Sequence, residues 1–175
     1  MYLIVDGYNI IGAWPEFAGE SDLAHSRDRL IHLLADYAGY TGHQLTVVFD
    51  GYGGSKKLAT VEQVFGITVV YTRQHETADH YIERAVDLFL DGVPRYAHAD
   101  VRVATNDALE QSVILSRGAV RMSAAELRRD LLAAKRRRQK EQGERARIKP
   151  STFEDRLDDR QRELLERMRL SLIHI

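Results

Sequence analysis

The opening run Tyr2-Leu3-Ile4-Val5-Asp6-Gly7 constrains the fold more than any other stretch of the chain. Consecutive apolar residues that lead into a carboxylate are typical of a buried parallel strand with an acid at its carboxyl end. An ionised carboxylate in that place is costly unless it is paired, hydrogen-bonded or bound to a metal. The pattern returns at residues 44–49, which are followed by Asp50-Gly51. We therefore expect repeated strands that carry acids to one edge of a sheet.

The rest of the first 122 residues alternates between strand and helix patterns. We predict a loop over residues 7–21, a helix capped by Ser21 that ends at Gly39 or Gly42, strands at 67–71 and 101–104, an ambiguous segment at 61–65, a helix capped by Thr77 that stops at Gly92, and a short helix ended by Gly118. Such alternation predicts an α/β fold, with a mostly parallel central sheet between two layers of helices. Right-handed crossovers place the carboxyl ends of parallel strands on one edge, where open α/β sheets hold their ligands.

The distribution of charge separates the chain into an acidic body and a basic extension. Residues 1–120 hold nine Lys/Arg against sixteen Asp/Glu, whereas residues 121–149 hold eleven against four. Ser123 and Glu126 form the pattern of a capping box for a basic helix over about residues 124–142. A last helix is expected over about residues 152–170. We therefore predict a catalytic domain at 1–122 and a C-terminal helical extension at 123–175.

Composition narrows the class of protein. The sequence of 175 residues is 44% hydrophobic and contains no cysteine, which excludes disulfides and thiolate metal sites. No apolar run approaches the roughly 20 residues of a membrane span. Because Asp6 interrupts the first apolar run, we expect no signal peptide and a cytoplasmic location.

Four acids are expected to meet at the carboxyl edge of the sheet: Asp6, Asp50, Asp79 and Asp107. Within a turn of them lie Asn9, Glu83, Asn106 and Glu110. Oxygen ligands of this kind suit Mg2+ or Mn2+. The structural alternative is that each Asp merely caps the helix that follows its strand. All four together are better explained by a cation, since like charges gathered in one cleft repel each other.

Such a cluster fits phosphodiester hydrolysis or phosphoryl transfer by one or two metal ions, with no protein nucleophile. The sequence lacks a Walker A run, a G-x-S-x-G elbow and a Gly-rich dinucleotide turn after the first strand. A haloacid-dehalogenase-type phosphatase requires a second Asp two residues after the first, but Tyr8 occupies that position. His75 and His80 flank Asp79 and are interpreted as surface residues rather than ligands.

Four segments carry a resemblance to a known family: Asp6-Gly7-Tyr8-Asn9-Ile10-Ile11-Gly12-Ala13-Trp14, Val48-Phe49-Asp50, Glu76-Thr77-Ala78-Asp79 and Ala104-Thr105-Asn106-Asp107. They resemble the NYN branch of the PIN-like nucleases, and within it the bacterial YacP-like endoribonucleases of ribosome-associated mRNA decay. The similarity extends from residue 1 to about residue 142.

The resemblance implies a PIN-like Rossmannoid fold and Mg2+- or Mn2+-dependent cleavage of single-stranded RNA, with mRNA and the ribosome as partners. Family metal ligands carry over to Asp6, Asp79 and Asp107, and Asn9 takes a positioning role in the catalytic set. A fourth acid is left open among Asp50, Glu83 and Glu110, and so is the number of ions.

Positive surface is required as well, because an acidic site repels RNA phosphates. The candidates are the loop residues Lys56 and Lys57 and the helix residues Arg128, Arg129, Lys135, Arg136, Arg137 and Arg138. Contacts to phosphate would be salt-dependent and largely blind to sequence. Candidate stacking platforms for bases are Tyr8, Trp14, Tyr52 and Tyr81, with Trp14 more typical of a packing residue. The alternative function is a non-catalytic RNA- or ribosome-binding module on the same fold.

Overall fold

The computed structural model describes residues 1–51, 58–94, 98 and 100–147. By its internal contacts the chain divides into two compact units, Met1–Arg138 and Gln139–Ile175. The predicted loop lysines Lys56 and Lys57, and the last helix expected at 152–170, lie outside the described residues. The proposed domain boundary at residues 122 and 123 stays a prediction.

Six strands form one sheet in the described part of the chain. They are β1 (Tyr2–Asp6), β2 (Gln44–Phe49), β3 (Thr60–Val64), β4 (Ile67–Tyr71), β5 (Val101–Ala104) and β6 (Val120–Met122). The α-helices are α1 (Gly7–Ala13), α2 (Leu23–Thr41), α3 (Ala78–Leu90), α4 (Ala108–Arg117) and α5 (Ala124–Arg147). A short 3-10 helix covers Pro15–Phe17. No helix among these has both the length and the apolar character that crossing a bilayer requires.

The strand order in the sheet is β3-β4-β2-β1-β5-β6. All neighbours are parallel except β3, which pairs with β4 in antiparallel register at the edge of the sheet. The chain therefore builds outward from β1 in one direction through β2 and β4, and then in the other through β5 and β6. This change of direction leaves a crevice at the carboxyl ends of β1 and β5, where open α/β sheets bind ligands.

Both faces of the sheet are buried, as the continuous apolar strands predict. Leu3 and Val5 of β1 point to one side, into a core shared with α1, α2 and α5. Ile4 points to the other side, into a core shared with α3 and α4. Because side chains alternate along a strand, one short segment contributes to both layers. The predicted three-layer α/β architecture is confirmed.

The segment after β1 differs from the prediction. Residues 7–13 form α1 rather than a loop, and Asp6 caps the helix by accepting a hydrogen bond from the backbone N–H of Asn9 at 3.2 Å. Ile10, fully buried, anchors the helix in the core. Packing outweighs the weak helix propensity of Gly7 and Asn9 here.

Other element ends also differ from the expectations. Asp22, not Ser21, caps α2 through its side chain. The ambiguous segment is the edge strand β3, and the sequence did not predict β6, since three residues carry little periodicity.

The capping box at Ser123 and Glu126 is confirmed by reciprocal hydrogen bonds. The basic helix continues through Gly143 to Arg147 instead of ending near residue 142.

Candidate metal centre

Asp6 stands at the centre of the site because β1 ends there, in the middle of the sheet. Its residue surface is only 7% exposed. Burial, together with the charges of Asp79, Asp50 and Asp107, raises the pKa of the Asp6 carboxyl to about 6, against the opposing hydrogen bond from Asn9. The carboxylate therefore lies in an electronegative, poorly solvated place that favours either a proton or a cation.

Asp79 is brought to the site by the first turn of α3. The hydroxyl of Thr77 caps this helix by accepting the backbone N–H of His80, as predicted. Burial raises the pKa of the Asp79 carboxyl, followed by the charges of Asp107 and Asp50. His80 is exposed, and its Nδ1 contacts the Thr77 hydroxyl at 2.9 Å, which agrees with its interpretation as a surface residue.

Glu110 is the most deeply buried acid of the site. It lies in the first turn of α4 and is 3% exposed, and neither carboxylate oxygen has a hydrogen-bond partner of normal geometry. Burial, together with the charges of Asp6, Asp79 and Asp107, raises the pKa of the Glu110 carboxyl to about 8, against the opposing effect of the Thr105 side chain. A buried carboxyl without hydrogen bonds requires an explanation, and a bound cation provides one.

These three acids form one cluster. A carboxylate oxygen from each of Asp6, Asp79 and Glu110 lies within 4.8 Å of the others. The donors are all hard oxygens, the ligand class that Mg2+ and Mn2+ prefer, and their mutual repulsion would be relieved by a divalent ion. The cluster thus fits the predicted cofactor in both chemistry and charge.

Two of the predicted acids, Asp107 and Asp50, accept hydrogen bonds from the backbone. One oxygen of Asp107 caps α4 by accepting the backbone N–H groups of Leu109 at 2.7 Å and Glu110 at 3.2 Å. Asp50 accepts the backbone N–H of Ala78 at 2.6 Å. Both nevertheless raise the pKa of Asp6 by their charge. Capping and metal binding are compatible, because a carboxylate has a second oxygen, so the metal-ligand role of Asp107 stays a prediction.

Two of the predicted supporting residues make different kinds of contact: Asn9 accepts a backbone hydrogen bond and Glu83 forms an ion pair. The side-chain oxygen of Asn9 accepts the backbone N–H of Asn106 at 2.6 Å, which joins the ends of β1 and β5 across the crevice. Glu83 pairs with Arg117 on α4 at 3.0 Å. Of the acids left open for the fourth position, Glu110 belongs to the three-acid cluster, whereas Glu83 does not.

Two arginines of the predicted basic helix, Arg128 and Arg138, form ion pairs with acids from earlier in the chain. Arg128 forms a bidentate ion pair with Glu16, with its Nε at 2.7 and 2.9 Å from the two carboxylate oxygens. Arg138 lies 3.7 Å from Asp36 of α2. Five of the predicted RNA-binding residues are exposed, namely Arg129, Lys135, Arg136, Arg137 and Arg138, and of these Arg138 makes the contact with Asp36.

The aromatic candidates have different environments. Trp14 is buried, and its Nε1 donates to the backbone oxygen of Ala124 at 2.8 Å, so it packs α5 against the body and cannot receive a base. Tyr8 packs against Phe49, and the guanidinium of Arg84 covers the Tyr81 ring. Tyr52 lies outside the described residues.

The sequence identified Glu110 only as one of several acids near the edge. Its place three residues after a helix cap is equally typical of a structural capping residue, so the pattern alone could not select it. In the structure its backbone N–H is bound by the cap, while its carboxylate joins the cluster. The feature that distinguishes Glu110 is a buried carboxylate without a hydrogen-bond partner, and only the three-dimensional structure reveals it.

Comparison with known proteins agrees with this architecture. The YacP-like NYN domain model matches residues 3–170, beyond the end at about residue 142 expected from the motifs. The uncharacterized protein YacP of Bacillus subtilis (strain 168) is 40% identical over 139 residues, which cover 77% of each chain.

Two crystal structures of Rae1 (YacP) from Bacillus subtilis are also similar. One has a TM-score of 0.67 at 30% identity and covers 99% of this chain and 92% of that one. The W164L mutant has a TM-score of 0.68 at 34% identity, with 86% of each chain covered. The chain therefore belongs to the YacP-like NYN domain family, within the PIN-like nucleases.

Proposed function

We propose that this protein is a metal-dependent endoribonuclease that cleaves single-stranded RNA with water as the nucleophile. The observation that carries the proposal is the convergence of Asp6, Asp79 and Glu110 within 4.8 Å, two of them buried and each with a raised pKa. Such a site is unfavourable without a cation, and its position at the switch point of the sheet makes it accessible to a ligand.

Membership of a nuclease family supports a nucleic acid as the substrate. We propose RNA, and mRNA in particular, acted on in the cytoplasm with the ribosome as a partner, in keeping with the motif resemblance. The exposed arm residues Arg129, Lys135, Arg136 and Arg137 are proposed to contact RNA phosphates. Lys56, Lys57, Arg128 and Arg138 stay further candidates for the same task, although Arg128 and Arg138 would have to share their charge with Glu16 and Asp36.

The residues that would hold Mg2+ or Mn2+ are Asp6, Asp79 and Glu110, with Asp107 as a further candidate ligand. When bound, the ion supplies activation of water and stabilisation of charge on the reacting phosphate oxygens. Glu110 carries a proton at neutral pH in the metal-free protein, since its pKa is about 8, and must release it to bind a cation. Asn9 orients the site by holding the backbone of Asn106 in place.

The test is cleavage of a labelled single-stranded RNA by purified protein in the presence of Mn2+ or Mg2+, for the wild type, Asp6→Asn and Asp107→Asn. We expect Asp6→Asn to lower the rate by about 100-fold or more, because even outer partners of metal ligands typically contribute 10–100-fold. Asp28→Asn, an exposed acid on α2, is the matched control and should cleave normally.

Unchanged cleavage by both Asp6→Asn and Asp107→Asn would contradict the proposal. RNA binding by the wild type without cleavage under either metal would instead favour a non-catalytic RNA-binding module.

A further inference from the structure

A second charged cluster lies close to Asp79 in the sequence and has the opposite sign. The side chain of Glu76 is 5% exposed and pairs with two arginines, Arg73 through Nε at 3.3 Å and Arg84 through Nη1 at 2.5 Å. Both arginines are about half exposed. The buried carboxylate therefore forms ion pairs with two guanidinium groups at the surface.

The cluster contains two positively charged guanidinium groups and one carboxylate, so that one positive charge is not neutralised within it. Each guanidinium has five N–H donors, and one carboxylate cannot engage them all. The pair between Arg29 of α2 and Glu20, which precedes that helix, differs in this respect, because one arginine contacts one carboxylate there at 2.7 Å. The Arg29 guanidinium also lies over the aromatic ring of Phe17. Only the cluster around Glu76 combines two arginines with one acid in this way among the ion pairs of the described residues.

The cluster is close to the acidic site along the chain. Glu76 directly precedes Thr77, the cap of α3, and Asp79 follows two residues later. Arg84 lies on the same helix, about 7.5 Å further along the axis at 1.5 Å per residue. Its guanidinium is held 5.3 Å from the centre of the Tyr81 ring, which restricts its orientation as well as its position. An RNA strand bound at Asp79 would have its neighbouring phosphates within reach of this helix.

We propose that Arg73 and Arg84, organised by Glu76, form a binding site for a backbone phosphate of the RNA strand next to the cleavage position. This rests on the proposed function, since RNA is the ligand. Planar guanidinium groups recognise phosphate oxygens through paired, charge-assisted hydrogen bonds. Because Glu76 fixes both arginines beforehand, binding loses less side-chain entropy than it would on mobile arginines. The neighbouring site repels phosphate, so a cationic partner of this kind is required to hold the strand there.

The test is the affinity of the full chain for a fluorescent single-stranded RNA of about 12 nucleotides, measured by anisotropy in EDTA so that no cleavage occurs. The salt concentration is varied from about 50 to 200 mM. Arg73→Gln and Arg84→Gln should each weaken binding about threefold or more and lower the salt slope by about 0.7, the value for one lost phosphate contact on a single strand. Arg29→Gln is the matched control and should leave the slope unchanged.

Structural damage is controlled by melting temperature and by a second variant. Arg73→Gln leaves the Arg84–Glu76 pair in place, so it decides the question if Arg84→Gln does not fold. Arg84→Lys keeps the cation but not the planar fork, and should recover the salt slope without full affinity. Inorganic phosphate and uridine monophosphate serve as competitors; both should displace RNA only weakly, because one phosphate supplies few of the contacts of the strand.

A folded Arg73→Gln protein with wild-type affinity and slope would overturn the inference. Competition by inorganic phosphate as strong as that by RNA would overturn it too, since the site would then serve a free anion. These results are separable from the proposed function, because RNA cleavage by the wild type with Mn2+ is measured independently of the binding slopes.

Discussion

The side chain of Asn9 is bonded to the backbone of Asn106: its amide oxygen accepts the Asn106 N–H at 2.6 Å, across 97 residues of sequence. The bond joins the first turn of α1 to the loop between β5 and α4. It thereby fixes the position of Asp6, on one side of the crevice, relative to Glu110 on the other.

Removal of this bond in Asn9→Ala should lower the free energy of unfolding by about 1 kcal/mol, the usual net contribution of one hydrogen bond. It should lower Mn2+-dependent cleavage more than the loss of stability explains. Gln63→Ala is the control, because it removes a side-chain hydrogen bond to Thr68 in the edge pair β3–β4. Urea unfolding and cleavage rates on both variants check the prediction. Equal activity in the two variants would show that the Asn9 bond is only structural.

The stability of the metal-free protein should fall as the pH rises through the site's titration range. The pKa values of Asp6 and Glu110 are raised from 3.8 to about 6 and from 4.5 to about 8. The folded state therefore binds these protons more tightly than the unfolded chain, so the destabilising contribution is absent below about pH 4 and grows up to about pH 8. Urea unfolding in EDTA between about pH 5 and 8 measures it. A wild-type profile that rises over this range, or one identical in Glu110→Gln, would contradict the assignment.

Metal affinity should have the opposite pH dependence. Asp6 and Glu110 must be deprotonated to act as ligands, so the Mn2+ concentration that gives half-maximal stabilisation should fall as the pH rises from about 6 to about 8. Melting curves at several Mn2+ concentrations measure this midpoint. A midpoint independent of pH would mean that neither carboxyl is displaced from its proton by the ion.

Two glutamates of the site region should have different effects on activity. Glu110→Gln removes a member of the cluster and should lower cleavage by about 100-fold, yet it should stabilise the metal-free protein at about pH 8, because a buried charge is removed. Glu83→Gln alters an ion pair with Arg117 and should keep cleavage within about tenfold of the wild type. Rates against Mn2+ concentration, together with melting temperatures, separate the two. Loss of stability and activity together in Glu110→Gln would indicate a structural role instead.

Gly7 is required by the close approach of α1 to β2. A Cβ atom at this position would lie 2.2 Å from Cε1 of Phe49, whose ring is fully buried. Gly7→Ala should therefore cost about 1–3 kcal/mol of stability and displace the neighbouring Asp6. Gly12 lies in the same helix with nothing within 4 Å of its Cβ position, so Gly12→Ala should be neutral or stabilising by up to about 1 kcal/mol. Thermal unfolding of the pair tests this; equal stability would contradict the packing described for Phe49.

Much of the sheet was predictable from the sequence because its strands are short, continuous apolar runs. The bounds of β2 and β4 agree with those expected, since burial on both faces leaves an unbroken hydrophobic signal. The first helix was not predictable in the same way. Gly7 and Asn9 favour turns, and α1 forms because Asp6 caps it and Ile10 is buried, which are facts of the tertiary structure.

The sequence indicated at which edge of the sheet the acids gather, but not which carboxylates form the cluster. Handed crossovers bring the acids to one edge whatever their rotamers, and the charges of Asp50 and Asp107 do act on Asp6. Which carboxylates meet depends on burial and side-chain direction, and these placed Glu110 in the cluster. Long-range pairing was equally invisible, as in the Arg128–Glu16 ion pair between residues 112 apart in sequence.

The most direct test of the account is anomalous diffraction from crystals of the protein soaked with Mn2+. We expect a peak bounded by Asp6, Asp79 and Glu110, at roughly 2.0–2.6 Å from the carboxylate oxygens, as for hard divalent ions, and no such peak in Asp6→Asn crystals. A well-ordered site with no anomalous density among these three carboxylates, at saturating Mn2+ and about pH 8, would contradict the central claim that they bind a catalytic cation.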